Sequence, residues 1–143
     1  MKKVFASLFV LSFLLIGCGE SEDPEDIAKI TYEWEKARFD RDYKEEQKLI
    51  FEEGSYEVHK TAKKVDSGLK YDDVQFEIYY DEPAEYYYVF ADFDNPNGEN
   101  AVEDNVVLRK KNDEWKVDTS KSLEVNREEI QQEFDQTSCI HCE

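Results

Sequence analysis

The hydrophobic period changes near Leu69, and the change limits what the chain on either side can become. Before it, apolar residues recur three and four apart. After it, they fall on alternate positions. A chain patterned this way is α+β: two or three N-terminal helices, then an antiparallel sheet of about four strands.

Pro24 stands where a helix would begin, with acidic residues around it that suit the positive end of a helix dipole. Ile27, Ile30, Trp34 and Ala37 then follow at helical spacing, which predicts a helix over 24–39. Asp40 is the expected cap of a second helix carrying Tyr43, Gln47, Leu49, Ile50 and Phe51 on one face, stopped at Gly54. Ser55 is the expected cap of a third, with Val58, Ala62 and Val65 in line and Ser67-Gly68 at its end.

Beyond Leu69, Val74, Phe76, Ile78 and Tyr80 alternate with Asp73, Gln75, Glu77 and Tyr79, a half-buried strand. Asp81-Glu82-Pro83 turns the chain into Tyr86–Phe93, which carries rings on both faces and reads as central. Residues 102–110 and 114–119 complete a meander with short connections. A last helix is expected near Asn126–Phe134, with a loose tail to Glu143.

The N-terminus speaks to location. Lys2 and Lys3 precede an apolar run from Val4 to Ile16, of signal-peptide length and too short to span a bilayer comfortably. It closes on Leu15-Ile16-Gly17-Cys18, which resembles the lipobox of bacterial lipoproteins. The resemblance implies cleavage before Cys18, lipid such as palmitate on the Cys18 thiol, and anchoring on the extracytoplasmic face of the cell membrane. The chain then divides into a signal peptide (1–17), an acidic tether (18–25), a folded domain (26–119) and a C-terminal extension (120–143).

Formal net charge is −17, and loss of Lys2 and Lys3 makes it more negative. Such a surface repels nucleic acid and anionic head groups. Aromatics make up 14% of the chain, too many for a disordered segment. The expected state is a monomer or weak dimer.

The stretch Val106-Val107-Leu108-Arg109-Lys110-Lys111-Asn112-Asp113-Glu114-Trp115-Lys116-Val117-Asp118 is similar to the last hairpin of small NTF2-like lipoproteins. With the helices-then-sheet order, it implies the NTF2-like fold, a cone of helices over a curved sheet. Enzymes of that family place Asp, His or Tyr in the cone. Many of its secreted members have no known activity, and a fold alone assigns none.

Three groups of residues bear on chemistry. Cys139, His141 and Cys142 offer two thiols and an imidazole, which suit zinc or copper, a redox pair or a plain Cys139–Cys142 disulfide. Asp92, Asp94, Asn95, Asn97 and Glu99 gather oxygens, but Pro96 and the lack of a closing glutamate break the calcium-loop pattern and favour a turn. Tyr79, Tyr86 and Tyr88, within a wider tyrosine set that includes Tyr80 and Tyr87, offer a ligand surface. His59 reads as a surface residue. No phosphate loop, nucleophile elbow or His-Glu-x-x-His motif occurs. The expectation is therefore a non-enzymatic module that binds an envelope protein, a wall component or a ligand. A cavity enzyme, or a thiol or metal handler, is the alternative.

Overall fold

The computed structural model describes residues 22–55 and 57–143. The signal segment and Cys18 lie outside the described residues. Among the described residues, no helix is long and apolar enough to cross a membrane.

Helix α1 (Pro24–Phe39) starts where the sequence places it. Asp23 caps it by accepting from the Glu25 amide at 3.0 Å, Pro24 occupies the first turn, and Lys36 and Arg38 sit at its negative end. Helix α2 (Tyr43–Leu49) is capped by Asp42 rather than Asp40. Asp40 is taken by Ser67, whose amide and hydroxyl both donate to it, and by Lys36. Ile50 and Phe51 leave the helix to bridge Val117 in extended form.

The expected third helix does not form. Residues 57–70 cross the domain as irregular chain. Glu46, on α2, accepts from the Glu57 and Val58 amides at 2.7 and 3.1 Å, and the Val65 amide donates to the Asp40 carbonyl. Those amides are thus bound elsewhere. Of its apolar stripe only Val58 is buried, too little to stabilise a short helix.

The sheet holds β1 (Gln75–Asp81), β2 (Tyr86–Asp94), β3 (Ala101–Lys111), β4 (Glu114–Val117) and β5 (Gln136–Ile140), all antiparallel, in the order β4-β3-β2-β1-β5. The β3–β4 hairpin turns through Asn112 and Asp113, both at positive φ, as a tight two-residue turn requires. The tail expected to be loose is the fifth strand. It returns along β1, with Phe76 opposite Ile140 and Ile78 opposite Ser138. Helices α3 (Thr119–Glu124) and α4 (Arg127–Glu133) connect β4 to it. The architecture is thus α+β, with N-terminal helices packed against an open five-stranded antiparallel sheet.

Strand alternation sends side chains to two faces. Phe76, Ile78, Tyr87, Val89, Leu108 and Trp115 pack under Ile27, Ala28 and Trp34 of α1 as the main core. Tyr79 and Phe90 face the other way and meet Ile130 of α4, with Tyr88, Val125 and Phe134 around them.

Candidate functional site

The second face is only partly covered, and a cleft of about 250 Å³ opens there beside α4. Tyr86, Tyr88 and Val107 come from the strands, and Val125 and Ile130 close its apolar side. The two tyrosine rings stand edge to face, 6.4 Å apart. Tyr88 packs on Phe134 at 5.6 Å, and Arg109 lies over Tyr86 at 5.1 Å. Burial, with the Asp81 carboxylate behind it, raises the Tyr88 phenol above its ordinary pKa, so Tyr88 is a neutral hydrogen-bond donor at physiological pH. Of the three tyrosines singled out from sequence, Tyr79 is not at this surface: it is buried under α4, its ring 5.6 Å from Phe90.

Ionic contacts add to the packing of Ile130 in holding α4 in place. Arg127 donates to Asp92 at 2.9 and 2.7 Å and to Glu77 at 2.8 Å, and its guanidinium lies over the Phe90 ring. Gln131 adds a bond to Glu77. Burial pushes the Glu77 pKa up, but the bonds from Gln131 and Arg127 outweigh it and hold the group below its usual range. Asn105 anchors the incoming chain through the Val125 carbonyl, and Ser122 takes the Val107 amide. The rim of the cleft carries Lys121, Glu124, Glu129 and Glu133. Lys121 pairs with Glu124 at 2.9 Å.

A second group lies at the C-terminal end of α1, where Arg38 reaches Asp104 of β3. Arg38 donates to Glu35 at 2.8 Å and to Asp104, and pairs with Glu57 at 2.9 Å. Glu35 is fully buried, and burial pushes its pKa up to about 8. Its Oε1 has no partner among the described residues and is shielded from solvent. A shallow cleft of about 200 Å³ beside this group is lined by Trp34, Arg38, Asp104 and Thr119 among others. Sequence reasoning passed over this cluster. The available signal was Glu35 itself, which falls on the apolar stripe set by Ile27, Ala28, Thr31 and Trp34.

At the C-terminus Cys139 and Cys142 are joined by a disulfide, with their Cα atoms 5.7 Å apart. The His141 ring is engaged by β1 and the chain leading into it. Its Nδ1 bonds the Val74 carbonyl at 2.8 Å, and the ring stands edge-on to Tyr71 at 4.8 Å. Among the described residues, no three His, Cys, Asp or Glu side chains are arranged to hold a metal ion. The oxygen-rich loop is a turn: Asn95 accepts from the Asn97 amide at 2.8 Å and its own amide donates to Asn100. Asp92 is committed to Arg127. His59 is exposed and its Nδ1 is bonded to Thr61. Compared with known proteins, the chain matches no family model, no curated protein and no solved structure.

Proposed function

We propose that this chain is a lipid-anchored binding module on the extracytoplasmic face of a cell membrane, held through Cys18 and making contact through the cleft of Tyr86 and Tyr88. The observation that carries the reading is the placement of that cleft. The chain enters the domain on the α1 side, where the Glu22 carbonyl accepts from Tyr87 and its carboxylate faces Lys110 at 3.7 Å. The cleft lies on the other side of the sheet, so a tether running from residue 22 to a membrane need not cross it. Tyrosine rings with an apolar floor and a polar rim are a common recognition surface. We keep an NTF2-like relationship as part of the proposal, on the strength of N-terminal helices followed by an antiparallel sheet.

The rival reading, a cavity enzyme, calls for an accessible acid or base in a pocket. Glu35 has the raised pKa but is sealed beneath Arg38, and the sheet face under α1 is filled by Tyr87, Phe76 and Trp115.

The test is twofold. Cells fed an alkyne analogue of palmitate should label the wild-type chain and not Cys18→Ala, and Cys18→Ala should move from the membrane to the soluble fraction. Crosslinked capture from membranes should then return partners that Tyr86→Ser/Tyr88→Ser loses. Equal labelling of Cys18→Ala, or an unchanged partner set in the tyrosine variant, would refute the anchor or the cleft respectively.

A further inference from the structure

The rim of the cleft is acidic on balance, with three glutamates and one lysine. Glu129 and Glu133 stand one helical turn apart on α4, beside the opening that Tyr88 floors. Like charges at this spacing repel. Both side chains are exposed, and no cation pairs with either among the described residues. Glu133 is close enough to raise the Tyr88 phenol further. Among the described residues the one cation on the rim, Lys121, is already engaged by Glu124. Inside the rim the surface changes character, to the half-buried Tyr86 and Tyr88 rings and Val125, with Val107 and Ile130 buried beneath them.

Resting on the binding-module reading, we infer that the cleft takes a basic, partly apolar peptide segment: a Lys or Arg side chain reaching over the tyrosine rings between Glu129 and Glu133, beside an apolar residue set against the half-buried Val125. Three physical terms favour that occupant. An incoming cation relieves the repulsion between Glu129 and Glu133. The negative faces of tyrosine rings attract a cation, as Tyr86 already does with Arg109. The net charge of −17 steers basic segments toward the domain from a distance. The same charge disfavours anionic ligands and anionic lipid surfaces at this face.

The test uses the full-length chain in neutral detergent and three nine-residue peptides with the same apolar residues: one bearing four lysines, one four glutamates, one four glutamines. Titration calorimetry should detect the lysine peptide alone, with affinity falling several-fold between 50 and 300 mM salt. Glu129→Gln/Glu133→Gln changes only exposed residues and should weaken binding about five- to tenfold with an unaltered thermal midpoint. Equal binding of the glutamine peptide, or wild-type affinity in the double Gln variant, would overturn the inference. If that variant and the lysine peptide show no effect while Tyr86→Ser/Tyr88→Ser still strips captured partners, the cleft binds something other than a basic segment. The module reading then survives and this one does not. If neither set of variants changes anything, both fall.

Discussion

On the α1 side of the sheet, Phe76, Tyr87 and Leu108 are fully shielded beneath Ile27 and Trp34, whereas on the other side Tyr86 and Tyr88 keep part of their surface open beside α4. The strands supply rings to both sides. The difference lies in the covering element. Helix α1 is sixteen residues long with a wide buried stripe, while α3 and α4 are six and seven residues long and bury little beyond Ile130. Burial area sets stability, so the α1 face carries more of the fold than the α4 face.

Matched truncations test that division most directly. Phe76→Ala removes a fully buried ring from the main core and should cost about 3–5 kcal/mol. Phe134→Ala, on the second face, removes a half-buried ring packed on Tyr88 and should cost less than half as much, roughly 1–2 kcal/mol. Urea unfolding of both variants gives the comparison. Equal losses would mean that α4 carries as much of the fold as α1.

The buried charge on the α1 side has a pH signature. Glu35 is surrounded by Arg38, Asp104 and Glu57, and its pKa is raised from 4.5 to about 8 because burial penalises its charged form. The folded chain then binds a proton that the unfolded chain has already released between those two values. Stability should therefore fall as pH rises from about 4.5 to about 8, with a slope approaching 1.4 kcal/mol per pH unit for one group, and level off above. Glu35→Gln keeps the shape without the charge, so it should match the wild type near pH 5 and exceed it near pH 9. A constant offset between the two proteins across that range would show that Glu35 does not titrate this way.

Much of this two-sidedness was legible in the sequence, though unevenly. The change of period at Leu69 located the helical and sheet halves, and α1 was readable to the residue because proline, acidic first turn and apolar stripe agree. Strands β1, β3 and β4 announced themselves by alternation, and β2 by its run of rings on both faces. Three features did not. The expected helix after Ser55 failed because amides in the segment are taken by Glu46 and the Asp40 carbonyl, both contributed by earlier chain. Strand β5 reads Gln136-Thr137-Ser138-Cys139-Ile140, with one strongly apolar residue, and owes its form to the ladder that β1 offers. The cleft was half visible: Tyr86 and Tyr88 could be named, but which face α4 would cover depends on Arg127 finding Asp92 and Glu77, 35 and 50 residues away.

That clamp is the next place to press. Arg127→Ala should cost about 1–2 kcal/mol, since partly buried charge-assisted bonds are lost and Glu77 and Asp92 are left facing each other. The larger consequence is positional. With α4 loosened, amide exchange should rise across residues 127–133 while the strands under α1 stay protected. Uniform loss of protection would show that the two faces unfold together.

The smallest effect is expected where β5 ends. The Cys139–Cys142 disulfide closes a loop of only four residues, so the entropy it removes from the unfolded chain is worth at most about 2 kcal/mol. Less than that should reach the global transition, because an exposed edge strand can open without disturbing the core. Cys139→Ser/Cys142→Ser should therefore shift the urea midpoint by under about 1 kcal/mol equivalent and raise exchange in 136–140 alone. Val74 limits even that, since its carbonyl holds His141 just beyond the strand, and Phe76 packs against both Ile140 and the His141 ring. His141→Ala in the double Ser background removes this second fastening. If β5 then exchanges freely while Tyr88 and its neighbours keep their shifts, the edge is a separate closure and the cleft depends on α4. If the cleft signals move as well, β5 is what positions α4, and the boundary between the two faces runs through the C-terminal strand rather than through the sheet.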